Sequence, residues 1–169
     1  MHRVPFLVLV ISLAGAACAH RPRTVGDRTP YAQRLEQRQC GDGTPTLRAR
    51  VVEAMAFDRV EPIYNPDWSV KLAPSRLLVG ARLRARHAAP ESPSSLQNTL
   101  ECHEADLATG KATIDDDPFI TAEGGWVDIS VRTDEGDTIV ELRAVALRDA
   151  EPLFDRARRF VAAARPTTK

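Results

Sequence analysis

Residues Leu77 to His87 alternate without a break. Val79, Ala81, Leu83 and Ala85 fall between Gly80, Arg82, Arg84 and Arg86. Successive side chains of a strand point to opposite faces, so this stretch predicts a strand with one apolar face and one face carrying three arginines. A half-polar strand of this kind belongs to a sheet with one face covered and the other partly solvated.

Two amphipathic helices are available to cover that face. Pro93-Ser94-Ser95 starts the first, with a serine as N-cap and Gly110 as the stop. Leu96, Leu100, His103 and Leu107 share its apolar face, with Cys102 on the flank. The second runs from Ala150, after a cap at Asp149, to about Arg165, where Pro166 ends it. Leu153, Ala157, Phe160, Val161 and Ala164 make its stripe, and Asp155, Arg156, Arg158 and Arg159 lie elsewhere on its surface.

A second sheet segment is a hairpin. Val127, Ile129 and Val131 alternate in Trp126 to Arg132, and Val140, Leu142, Ala144 and Ala146 alternate in a strand ending near Leu147. For both sets to face one core, paired residue numbers must sum to an odd value. Pairing Val131 with Val140 satisfies this, leaves Asp134 to Asp137 as the loop, and sets Asp128 opposite Arg143.

Leu47 to Tyr64 fits two templates. Leu47, Val51, Ala54 and Met55 suit a helical face, whereas the Val and Phe content suits a bent strand, which is the expectation here, ended by Pro62, Asn65 and Pro66. The fold class expected is α+β: a two-layer sandwich, a mostly antiparallel sheet with two amphipathic helices on one face, in a single domain over 47–169.

What precedes the domain is polar. Residues 18–46 carry repeated Gly and Pro and are expected as a tether, holding a short helix capped by Thr29, with Pro30 first, running through Tyr31 and Leu35 to Gln39. Residues 1–17 have the layout of a secretory signal: Arg3, an apolar run from Phe6 to Leu13, then Ala14, Gly15, Ala16 and Ala17.

The stretch Leu13-Ala14-Gly15-Ala16-Ala17-Cys18 resembles the lipobox of bacterial lipoproteins, although Gly15 stands where that pattern usually has Leu. The resemblance implies that Cys18 carries a diacylglyceryl group and becomes the first mature residue, giving a membrane partner through lipid. Ala19, in place of an Asp, points by the same resemblance to the outer membrane over the inner. The alternative is cleavage after Ala19, from the A-x-A pattern of Ala17-Cys18-Ala19, which would release a soluble periplasmic or secreted protein, an inhibitor or binding module.

The chain has three cysteines. If lipid consumes Cys18, Cys40 and Cys102 remain, and export would oxidise them to a disulfide, two buried thiols being the alternative. A metal centre is not expected, since no C-x-x-C occurs and Cys102 and His103 point in different directions on a helix.

Acidic side chains exceed basic ones by one after removal of the signal with its Arg3, so no global charge draws the protein to nucleic acid. No Gly-rich phosphate loop, G-x-S-x-G or H-E-x-x-H occurs. Asp115 to Asp117 is expected as a solvated turn, not a calcium site. His103 is expected as a hydrogen-bonded core histidine, with general base as the competing role. Ser94 and Ser95 are expected as caps. Arg82, Arg84 and Arg86 form the candidate anion-binding row, for envelope glycolipid phosphates or an acidic protein partner; salt bridges within the sheet to Asp128 and Glu141 are the competing use. The expected function is a membrane-anchored bacterial envelope lipoprotein with a non-enzymatic binding or structural domain and no cofactor.

Overall fold

The computed structural model describes residues 25–41, 43–67, 75–86, 89, 91–112, 116–120 and 125–164. The chain order is α1 (Val25–Gln39), α2 (Pro45–Ala54), β1 (Phe57–Asp67), β2 (Ser75–Ala85), α3 (Pro93–Ala108), β3 (Val127–Asp134), β4 (Asp137–Ala144) and α4 (Ala150–Ala164). The four strands form one antiparallel sheet in the order β1-β2-β4-β3. The architecture is the α+β class expected.

Alternation in β2 builds the core directly. Val79, Ala81, Leu83 and Ala85 are buried, beside Val140 and Leu142 of β4 and Val127 and Ile129 of β3. Leu96 and Leu100 of α3 and Leu153, Ala157 and Val161 of α4 close over the same face. Each fully buried leucine among them contributes about 1.5–3 kcal/mol relative to exposure. The hairpin has the register that a shared core face demands, with Val131 opposite Val140 and Asp128 opposite Arg143. Its loop is tighter than expected. Asp134 pairs with Asp137, leaving only Glu135 and Gly136, both at positive φ (50° and 86°) as a two-residue turn matched to strand twist requires.

The segment from Leu47 to Tyr64 is not one bent strand. Thr44 accepts the Leu47 N–H at 3.3 Å and Pro45 opens α2, so the first half is helical. Strand begins only at Phe57, and it runs through Pro62 and on to Asp67 instead of ending there. Among the described residues β1 pairs only with β2, and at a sheet edge a residue without an N–H on the open side leaves no ladder bond unmade.

Residues 25–39, assigned above to the tether, form α1 and pack against α3. The helix starts before Thr29. Ala32 is fully buried with Ala105, Ala108 and Trp126 in a second, smaller cluster, and Tyr31 meets Trp126 edge-on at 4.6 Å between ring centroids. α3 is therefore enclosed by the sheet on one side and by α1 and α2 on the other. Every residue from Cys102 to Ala108 is buried.

Candidate functional site

A buried polar row runs through the middle of α3, and its residues each reach a different neighbour. Cys102 is bonded to Cys40, one residue past α1, with the Cα atoms 5.6 Å apart. His103 Nε2 lies 2.8 Å from Asp117 Oδ2, a hydrogen bond in which the carboxylate accepts, and both side chains are fully buried. Asp117 Oδ1 also accepts the Phe119 N–H at 2.8 Å. Glu104 Oε1 accepts the Val127 N–H at 2.7 Å, at the free edge of β3. Asp106 takes both Nε and Nη2 of Arg48, at 2.7 and 2.9 Å.

These groups hold elements together. One α3 residue ties α1, the next ties the loop before β3, the next caps an edge amide of β3, and Asp106 ties α2. Gln97, about two turns before Glu104, accepts the Val131 N–H at 3.3 Å. Two of the outward amides of β3 thus end on α3 side chains, which blunts the edge against pairing with another chain. Burial lowers the Arg28 guanidinium, and the charge of Glu104 works against that lowering, so α1 also feels the row electrostatically.

The expected disulfide of Cys40 with Cys102 is present. His103 takes the core role, hydrogen-bonded and closed to solvent. The solvated-turn expectation for Asp115 to Asp117 needs correction at Asp117, which is fully buried beneath His103 and Phe119. Asp116 is exposed, stands at φ 55° and pairs with Arg159 at 2.7 Å, while Asp115 lies outside the described residues. The cap of α3 is Ser92, whose Oγ accepts the Ser95 N–H at 3.2 Å, with Pro93 at the first helical position. Ser94 and Ser95 lie inside the helix.

Arg82 and Arg84 lie on the β2 face opposite its buried residues, and Arg86 stands one residue past the end of β2. Each guanidinium meets a carboxylate: Arg82 with Glu141 at 2.9 Å and Glu61 at 3.7 Å, Arg84 with Asp137 at 2.6 Å, and Arg86 with Asp58 at 2.5 Å. Register explains the first set, since Glu61, Arg82 and Glu141 are direct cross-strand neighbours on β1, β2 and β4. Burial works to raise the Glu141 carboxyl, but hydrogen bonds and charges from Arg82 and Arg143 overcome it and hold its pKa below the usual value. The Asp137 hydrogen bond raises Arg84. The face is a charge-compensated ladder, and its guanidinium groups are occupied within the sheet.

An apolar cavity of about 270 Å³ opens where the end of α2, the end of β2 and the start of α3 converge, lined by Val51, Met55, Ala85, Ala89 and Leu96 with Arg86 at the rim. Among the described residues, no group of three or more His, Cys, Asp or Glu side chains is arranged to hold a metal ion, and no helix is long and apolar enough to cross a membrane. Cys18 and residues 1–17 lie outside the described residues. Sequence reasoning missed the buried roles of Glu104 and Asp106; the one signal for them was their spacing beside Cys102 and His103 on a helix already expected to bury a face. Compared with known proteins, the chain matches no family model, no curated protein and no solved structure.

Proposed function

We propose that this chain is an exported bacterial lipoprotein, anchored through lipid on Cys18, whose α+β domain is a non-enzymatic binding or structural module in the cell envelope. The observation that carries the proposal is the bond between Cys40 and Cys102. Disulfides persist in oxidising compartments outside the cytosol, so the pairing favours export. Of the three cysteines in the chain, Cys18 is the one outside this pair, and in the sequence it directly follows an apolar run and four small residues.

The interior supports the non-enzymatic part. His103, the residue weighed above as a base, has its Nε2 on Asp117 and no exposure, so substrate would not reach it. The other buried charged groups bind elements of the fold to one another. Outer-membrane residence is the preferred location, from Ala19 at the position after the cysteine.

Intact-mass and peptide mass spectrometry of protein purified from cell envelopes tests the reading. A mature chain beginning at Cys18 with diacylglyceryl mass is the expected result. A chain beginning at unmodified His20 overturns the anchor and leaves a soluble periplasmic or secreted module.

A further inference from the structure

The first helix is seated firmly, and its position leaves little chain between it and Cys18. Tyr31 and Ala32 pack on Trp126 and Ala105. Glu36 accepts from Thr109 at 3.1 Å and from Lys111, and the Gln39 carbonyl accepts from Asn98 at 3.3 Å. The Cys40–Cys102 bond then closes the end of the helix onto α3.

Six residues, Ala19 to Thr24, separate Cys18 from Val25. An extended chain advances at most about 3.5 Å per residue, so seven steps span no more than ~24 Å. A free tether running to residue 46 would have reached about 100 Å on the same measure. The six residues include Arg21 and Arg23 and no acid, a composition drawn toward the phosphates of an anionic bilayer surface.

We infer that the domain is held directly on an anionic lipid surface, with the first turns of α1 as its membrane-proximal corner and the β3–β4 turn at Glu135 and Gly136 directed away. This rests on the lipid anchor proposed above. The orientation follows from the sheet. Trp126, on which Tyr31 rests, immediately precedes β3, and the eight residues of that strand carry the chain to the hairpin turn. At about 3.3 Å per residue the turn lies ~23 Å along the strand from the α1 end. The partner is therefore the bilayer that holds the lipid, and the charge-compensated sheet face stays clear of it for other contacts.

The test uses the full mature protein from envelopes, with the mass of the Cys18 adduct confirmed first. An azide-bearing residue at Thr29 or at Glu135, both exposed, takes a donor dye, and the protein is reconstituted in phosphatidylglycerol and phosphatidylethanolamine vesicles carrying a headgroup acceptor. Energy transfer about twofold higher from Thr29 than from Glu135 is expected from the ~23 Å separation. Insertion of twenty Gly and Ser residues between Thr24 and Val25 is expected to lower the Thr29 signal and abolish the difference. Equal transfer from both positions in protein of confirmed lipid mass overturns the seating while the anchor stands. An unmodified His20 start overturns the anchor and, with it, the seating.

Discussion

Arg48 and Asp106, 58 residues apart in the chain, form a two-point ion pair in the interior, with Arg48 Nε on Oδ2 at 2.7 Å and Nη2 on Oδ1 at 2.9 Å. The remaining guanidinium nitrogen, Nη1, donates to the carbonyls of Gly43 and Cys40. One side chain thus fastens α2, the loop before it and α3. Its partner is fully buried and Arg48 is 8% exposed, so the pair is cut off from water.

Removing either half leaves the other charge desolvated and alone. Arg48→Met or Asp106→Asn is expected to cost about 3–5 kcal/mol, and joint replacement of both by apolar residues should recover most of the loss. Urea denaturation followed by circular dichroism measures both. Equal cost for the double and single variants would show that the pair matters for more than its own charge balance.

The bond between Cys40 and Cys102 closes a loop with a sequence separation of 62. In the chain-entropy model this stabilises by about 4 kcal/mol. Cys102→Ala with Cys40→Ala, or reduction of the native protein, should lower the denaturation midpoint accordingly. Because Arg48 also grips the Cys40 carbonyl, the two ties share a loop. A double-mutant cycle between the disulfide and Arg48 should therefore depart from additivity by about 0.5–3 kcal/mol.

How legible each element was follows from where its partners lie. β2, β3, β4 and α4 carry their own contrast between an apolar and a polar face, so period alone located them. α2 does not: its two buried residues are Val52 and a charged one, Arg48, which reads on paper as a solvated arginine. The helical face that Leu47, Val51, Ala54 and Met55 offer is its signal, but Leu47 and Ala54 of that face are exposed, so the pattern is no stronger than that of a bent strand. β1 was cut short because Pro62 breaks an interior strand, and nothing in the sequence says which strand is at the edge. Glu104 and Asp106 draw no expectation at all, and Asp117 is expected in a solvated turn for a similar reason. Their partners, Val127, Arg48 and His103, are brought to them by tertiary packing.

Gly80 is required by close approach. A Cβ there would stand 1.9 Å from the Leu142 carbonyl oxygen and 2.9 Å from the Arg143 Cα, both backbone atoms of β4 that cannot rotate aside. Gly80→Ala should cost at least the 1–3 kcal/mol typical of overpacking, about the upper end here because strand must separate from strand. Thermal denaturation reads it, and an unchanged midpoint would mean that β2 and β4 sit further apart at this point.

Glu141 makes a pH prediction with a definite sign. Its pKa is held below the ordinary 4.5 because the ionised form is bound by Arg82 and Arg143, against the opposing effect of burial. A carboxylate with a depressed folded-state pKa binds fewer protons folded than unfolded. Its contribution is fully present above pH 4.5 and is lost as pH falls through the depressed value. The gain is small, since Arg82 and Arg143 are 36% and 41% exposed and solvent screens the pairs. Wild-type stability should therefore fall on acidification below pH 4.5 more steeply than that of Glu141→Gln, with the two curves converging at the acid end. Urea midpoints at intervals from pH 6 to pH 3 measure the difference. Parallel curves over that range would show that Arg82 and Arg143 do not favour the ionised carboxylate, and that the charge pairing at the centre of the ladder rests on Glu61 instead.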